Sequence, residues 1–454
     1  MPTVTAATDD QLAQSLKDSA VRLLQDLLRL DTTSPPGNEQ LAAEYIAGVL
    51  TEAGIDPEIV AAAPGRASVV ARLAAGNATG RPVLLMGHTD VVTAEPDKWE
   101  RDPFSGDLVD GYLWGRGALD MKSQVAGELA AFLAIARTDL PLTRDVIFAA
   151  FADEEAGGEF GAGWMWTHRR DLIDAEYAIN EGGGSPVDLA GATFHTCQVG
   201  EKGSTRLRMT ARGNPGHASV PIPGTAMARL GTALQRLHAW KPETVITDPV
   251  RHLLVGIADA LGGETASLIG DVLASDAPAW DDLARLPFSD SDRQMLFAIT
   301  HNTAVPTIIQ GGQRINVIPS EVTVELDGRI LPGQDPEAFR DAVQEAVGDA
   351  AEITIVSPDT GIAADPDSPF FDAIRSTMRA LLPDSQTVPT LISGGTDAKL
   401  LPGVKVYGFF PIPPTERVTL YDPLVHGHNE RIHVDDLAFG TRFVYDLVAS
   451  FCTS

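Results

Sequence analysis

Residues 84–92 read LLMGHTDVV, an apolar run that stops abruptly at His88 and Asp90. Leu84, Leu85 and Met86 have the unbroken apolarity of a strand buried on both faces. In open α/β sheets, polar residues just past the carboxyl end of such a strand line the crevice where ligands bind. The stretch therefore predicts a buried strand and a site at its end. The same character recurs at 145–152 (DVIFAAFA), 176–180 and 405–410 (KVYGFF), with a helix predicted over 122–137 between the first two. Strand, helix and strand in that order predict a parallel sheet. Leu12, Leu16, Ala20, Leu23 and Leu27 recur at helical spacing, and Leu41, Tyr45 and Val49 repeat it after the turn-rich DTTSPPGNE.

Near residue 200 the pattern changes. Thr205, Leu207 and Met209 alternate polar and apolar, as does EVTVELDGR at 321–329, which predicts a sheet with one solvated face. Helices over 224–238 and 335–348 and the strand EITIV complete a βαββαβ module. Buried-strand patterns and a helix at 434–451 resume afterward. The reading is an α/β domain formed by 1–199 and 359–454, interrupted by an α+β domain at 200–358. Residues 250–300, rich in Leu, Ala and Asp, read as a helical insertion without an assigned role. No internal repeat or low-complexity tract is visible.

Bulk composition removes several function classes. A chain of 454 residues exceeds one ordinary core. Lys+Arg 34 against Asp+Glu 62 gives 34 − 62 = −28, a balance that repels nucleic-acid backbones and anionic membrane surfaces. Cys197 and Cys452 form neither a disulfide framework nor a thiolate metal site, which fits a reducing, cytoplasmic setting. The opening stretch MPTVTAATDDQLAQS lacks a basic and then apolar leader pattern, and no window reaches the length of a membrane span. A soluble protein is expected.

Ionisable residues follow each buried strand: His88 and Asp90, Asp120 in GRGALDMK, Asp153, Glu154 and Glu155 in FADEEAGG, and Glu181 in NEGGG, with His426 in HGHNE near the end. Singly, each has a plain structural meaning: a surface His-x-Asp pair, a solvated acidic loop, an Asp capping a helix. Together they are imidazoles and carboxylates on strand ends, with glycines at 87, 117, 157 and 182 that let backbone approach a central object. That donor set suits zinc, with cobalt or manganese as substitutes. His168, His195, His238, His252, His301 and His433 read as core or surface histidines, and both cysteines as packed thiols.

HTDVV, GRGALDMK, DEEAGG, NEGG, GNPGHAS, INVIP, DGRILP, SGGTDA and HGHNE, in this order, span nearly the whole chain. In them the sequence resembles the acetylornithine deacetylase, succinyl-diaminopimelate desuccinylase, aminoacylase and carboxypeptidase G family of di-zinc metallopeptidases. The resemblance implies a zinc-bearing α/β catalytic domain interrupted by a lid domain that dimerises. It assigns one metal to His88 and Glu181, the other to Glu155 and His426, with Asp120 bridging both and Asp90 orienting His88 from behind. The family spacing His-x-x-Asn-Glu selects His426, while His428 stands at a variable position as the alternative. Glu154 becomes the proton-transferring base, and His217 the lid histidine that stabilises the oxyanion from the partner subunit. Arg329, Asn316, Gly394, Gly395 and Thr396 resemble positions that bind a substrate carboxylate, a role that suits the planar fork of Arg. A cis peptide between Asp120 and Met121 is implied as well. For Arg329 the plain reading is a lid salt bridge, and for the two glycines a tight turn.

The activity expected is hydrolysis of a peptide or N-acyl amide bond beside a free carboxylate, with a dipeptide or carboxypeptidase substrate and an N-acyl-amino acid as the competing classes. A catalytically silent relative serving as a binding or scaffold protein would have lost a ligand or Glu154, and neither is lost here. A metallophosphoesterase would need a phosphate-cradling loop that the sequence does not contain.

Overall fold

The structure is a computed structural model that describes residues 9–138 and 140–453. Residues 1–8, the start of the stretch read as lacking a leader, lie outside the described residues. The chain forms two compact units, one made of Met1–Val199, Ala364–Pro389 and Thr396–Ser454, the other of Gly200–Ala363 and Thr390–Gly395.

The first unit is built on the strands that the apolar runs predict. Val83–His88 and Val146–Phe151 are buried along their whole length and pair in parallel, from Val83 opposite Val146 to His88 opposite Phe151. On its other side Val83–His88 pairs in parallel with Tyr177–Asn180, Leu85 opposite Ile179, and that strand in turn with Lys405–Gly408. Antiparallel strands Arg66–Leu73 and Pro57–Ala63 extend the sheet beyond Val146–Phe151. Neither was anticipated, because RASVVARL mixes charge with apolar residues. Parallel register brings the carboxyl ends of adjacent strands to one edge, so His88, the 152–155 segment and Glu181 emerge side by side.

Helix Lys122–Arg137 is buried on nearly every side, as its small residues allow, and packs against helices Asp9–Leu28 and Val434–Phe451. Leu23, Leu27, Leu129, Phe132, Phe148, Leu447 and Val448 belong to the core they share with the sheet. Glycine is required where backbone meets backbone: a Cβ on Gly408 would stand 1.9 Å from the carbonyl oxygen of Glu181. Gly117, Gly157 and Gly182 take positive φ values of 87°, 109° and 102°, which L side chains rarely adopt.

In the second unit four antiparallel strands lie in the order Thr303–Gly311, Glu321–Arg329, Arg206–Arg212, Glu352–Ser357. Helices Ala226–Ala239 and Pro336–Val347 cover one face, burying Leu207, Met209, Val324, Leu326, Leu230, Phe339 and Val343. Chain order is βαββαβ, with helices Asp248–Leu261, Gly263–Ala274, Trp280–Leu283 and Asp290–Thr300 inserted before Thr303. Thr390–Gly395, which the sequence reading placed in the returning α/β segment, joins this unit instead. Its backbone carries the reason: Ile392 O accepts from Lys202 N at 3.1 Å and Ser393 O from Arg329 Nη1 at 3.3 Å. Among the described residues no helix is long and apolar enough to cross a membrane.

Leu85 stands in the central strand with no exposed surface. Leu85→Ala is expected to cost about 2–5 kcal/mol, the range for deleting a buried leucine side chain. The urea unfolding transition of the purified variant checks this, and a shift worth less than about 0.5 kcal/mol would contradict the packing described.

Candidate metal centre

His88 is the last residue of its strand and 1% exposed. Its Nδ1 faces the carbonyl oxygen of Asp90 at 3.0 Å. A ring nitrogen facing a carbonyl must be the donor, so Nε2 is left directed at Asp120 Oδ1, 3.1 Å away, and Glu181 Oε1, 3.7 Å away. Burial opposes charge on this ring, but Glu181, Asp120 and Asp90 outweigh it and raise the His88 pKa well above the usual histidine range.

Asp120 offers its second oxygen, Oδ2, to His426 Nε2 at 3.0 Å. Burial would raise its pKa, yet the two imidazoles hold it well below the usual carboxylate range. The expected cis peptide joins Asp120 to Met121. His426 sits in the left-handed region at φ 57°, and its Nε2 also lies 3.3 Å from Glu155 Oε1. The neighbouring carboxylates of Asp120 and Glu155 push the His426 pKa up to about 10. His428 points elsewhere, with Nε2 3.1 Å from Glu95 Oε2. The structure thus brings His426, and not His428, to the shared carboxylate.

The acidic pair lies on a single 3-10 turn, Glu154–Ala156, entered through Asp153 at φ 71°. Two arrangements fix that turn. Asp90 accepts the backbone N–H of Glu154 at 3.1 Å and of Glu155 at 3.0 Å, one on each carboxylate oxygen. Arg66 grips Glu39 with two hydrogen bonds, Nε to Oε2 at 2.8 Å and Nη2 to Oε1 at 2.7 Å, and reaches Asp153 Oδ1 at 2.5 Å. The role expected of Asp90 is therefore redistributed. Its carbonyl receives His88 Nδ1, its Oδ1 stands 3.5 Å from that nitrogen, and its carboxylate mainly holds the turn that carries both glutamates. Glu39 and Arg66 went unread because their meaning depends on partners distant in sequence.

Burial pushes the Glu154 pKa up to about 7, with neighbouring Glu155, Asp120 and Asp90 adding to it against the pull of His88. Glu181, directly past its strand, is likewise raised well above the usual range, by burial first. Potential ligand atoms of His88, Asp120 and Glu155 lie within 4.8 Å of one another, as do those of His88, Glu154 and Glu181. Glu155 Oε1 is buried without a well-formed hydrogen bond. A buried carboxylate oxygen left in this state, amid nitrogen and oxygen donors and no thiolate, fits a divalent cation.

The remaining expected residues divide between the units. Thr396, in the first unit, accepts from Asn180 Nδ2 at 3.0 Å, which ties it to the residue before Glu181. In the second unit, His217 and Asn316 lie on adjoining segments, where Ala218 N donates to Asn316 O at 3.0 Å. His217 is exposed, with Nδ1 2.6 Å from Ser219 Oγ. Arg329 pairs with Asp327, Nε to Oδ1 at 2.6 Å, so the salt bridge named as its plain reading is present. Gly394 and Gly395 belong to the same unit. His195 and His301 are buried and hydrogen-bonded, to Ile412 O and Thr244 among others, as core histidines should be.

A profile described as peptidase family M20/M25/M40 matches residues 84–450. Aminoacylase-1 of Sus scrofa is 26% identical over 91% of this chain and 90% of its own length. The N-fatty-acyl-amino acid synthase/hydrolase of Xenopus tropicalis is 25% identical over 96% of this chain and 87% of its own. An M20 family metallo-carboxypeptidase from Sulfolobus solfataricus superposes with a TM-score of 0.66 at 18% identity, covering 95% of this chain and 99% of that one. Human carnosine dipeptidase 1 does so at 0.65 and 19% identity, covering 98% and 99%.

Crowded carboxylates repel unless a cation lies among them, so a divalent ion that binds the folded chain alone must stabilise it. At a hundredfold excess over its Kd the gain is about 2.7 kcal/mol. Protein dialysed against chelator is expected to melt higher once zinc is added. An unchanged melting temperature at saturating zinc would contradict the cation fit.

Proposed function

Because this chain belongs to peptidase family M20/M25/M40, we propose that it is a two-zinc hydrolase that cleaves a peptide or N-acyl amide bond beside a free carboxylate. The observation that supports this most strongly is Asp120, one carboxylate placed between His88 and His426, with Glu154 in the adjoining group that shares His88. In this reading His88 and Glu181 hold one ion, Glu155 and His426 the other, and Asp120 serves both, with cobalt or manganese able to replace zinc. When bound, such ions polarise the amide carbonyl and bring the pKa of water toward neutrality.

The chain's own groups perform the rest. Glu154 takes a proton from the attacking water at its carboxylate and returns it to the leaving nitrogen. Burial raises the proton affinity of this carboxyl, a direction that suits a group that must take up the proton it later returns. Asp90 keeps the base and its neighbour in place through their backbone N–H groups. His217 donates to the oxygen that gains charge as the carbonyl is attacked. Arg329, Asn316, Gly394, Gly395 and Thr396 receive the substrate carboxylate, which competes with Asp327 for the guanidinium.

The second unit, with its insertion at 250–300, is the lid in this proposal and joins two chains as a homodimer, the partner supplying His217. Its substrates are dipeptides or N-acyl amino acids, in a cytoplasmic setting. A scaffold protein derived from this family would be freed to lose Glu154 or a ligand, and all are retained.

Glu154→Gln is expected to lower kcat by at least ~10²-fold while metal content stays at the wild-type value. Loss of metal from this variant, with retention in Glu155→Gln, would reverse the two assignments. Turnover of a panel of dipeptides and N-acyl amino acids supplies the wild-type reference.

The shared-site arrangement has a separate test. Inactive His217→Ala and Glu154→Gln proteins, mixed under conditions that exchange subunits, are expected to regain up to about a quarter of wild-type sites on random pairing. If exchange is proven and no activity returns, His217 does not act across the dimer.

A further inference from the structure

Glu430 and Arg116 were read as parts of motifs without a role of their own. Both are buried, Glu430 completely and Arg116 at 2% exposure. They meet at the end of the short ladder in which Tyr112–Trp114 pairs with Arg431–His433. Glu430 Oε2 accepts from Arg116 Nη1 at 2.6 Å and from Gly117 N at 3.0 Å. Its Oε1 accepts from Leu119 N at 2.7 Å and from Asp120 N at 3.2 Å. The carboxylate is thus wrapped by the backbone that leads into Asp120.

Arg116 reaches the opposite way. Its Nη2 donates to Gly427 O at 2.9 Å, His426 O at 3.3 Å and Thr93 O at 3.4 Å, and the guanidinium lies 5.3 Å from the Trp99 ring centroid. His426, whose carbonyl it takes, is one of the few non-glycine residues at positive φ. Such a conformation persists only where its surroundings over-determine it.

A buried ion pair is weak evidence of stabilisation, since desolvation offsets most of its attraction. What distinguishes this pair is where its other bonds go. Apart from the 3.4 Å contact with Thr93 O, they run to main-chain atoms of two segments, one carrying Asp120 and the other His426, whose side chains approach to 3.0 Å. Backbone anchoring fixes both Cα positions whatever the side chains do.

We propose that Arg116 and Glu430 are positioning residues that set the separation of Asp120 from His426 and so control the affinity of the Glu155–His426 ion position. This rests on the two-zinc reading above. Neither residue need touch substrate or ion. Outer partners of this kind typically alter metal affinity by about 10–100-fold when replaced.

The test is calorimetric titration of zinc chloride into the full-length chain after chelator dialysis, for wild type, Glu430→Gln and Arg116→Lys, with urea unfolding of each metal-free protein alongside. Glutamine would set an amide N–H₂ against donors that now meet oxygen. Lysine keeps the charge but lacks the fork that spans Glu430 and the Gly427 carbonyl at once. Arg116→Lys is expected to weaken one zinc step by about 10–100-fold and to leave the other within a few-fold of wild type, and Glu430→Gln, which loosens the backbone of the shared Asp120, to weaken at least that same step by as much. Wild type binding two ions, with both steps unchanged in the variants even where unfolding shifts, would overturn the inference alone and leave a stabilising pair only. Wild type binding fewer than two ions would overturn the two-zinc reading and this inference with it. If Glu430→Gln does not fold, the zinc steps of Arg116→Lys decide.

Discussion

Asp120 holds one carboxylate between two imidazoles, 3.1 Å from His88 Nε2 and 3.0 Å from His426 Nε2, and the rest of the first unit is arranged so that this is possible. The imidazoles come from opposite ends of the sequence. Glu154, Glu155 and Glu181 stand around them, and burial with mutual repulsion raises Glu154 and Glu181 above ordinary carboxylates. Such a gathering of like charges is costly unless cations enter it. Parallel register is the means of assembly, because it delivers the ends of adjacent strands to one edge.

The supporting charges are buried too, and each holds the chain beside a site residue. Asp90 binds the main chain of Glu154 and Glu155. Arg66 and Glu39 hold Asp153, the left-handed residue that turns the chain into that pair. Glu430 and Arg116 do the same for Asp120 and His426. These pairs contribute geometry more than stability, since removing a buried charge pair in favour of apolar packing is often neutral or favourable.

How much of this was legible follows from what each residue responds to. Unbroken runs such as LLMGH and VIFAAF announce buried parallel strands because both faces must be apolar, and the alternation in EVTVELDGR announces a half-solvated one. Arg66–Leu73 escaped because Arg66 points its charge inward to Glu39, which no local pattern reveals. Site residues were legible as types at strand ends, and their pairing only through the resemblance, since no spacing relates His88 to His426. The carboxylate of Asp90 does stand behind His88, 3.5 Å from Nδ1, but that nitrogen also meets the Asp90 carbonyl at 3.0 Å, and the same carboxylate accepts from two backbone N–H groups that no local pattern reveals. His217, Asn316 and Arg329 rested on resemblance rather than on spacing, and their contacts in the second unit are local: Ser219, Ala218 and Asp327.

In the proposed two-zinc site one carboxylate, Asp120, serves both ions. Zinc content per chain, measured by mass spectrometry on wild type and on Asp120→Ala after saturation and removal of free metal, tests it most directly. Two zinc ions per wild-type chain are expected, with both lost from the variant, since neither position keeps its shared ligand. A wild-type chain that holds a single ion, or an Asp120→Ala chain that retains two, would contradict it.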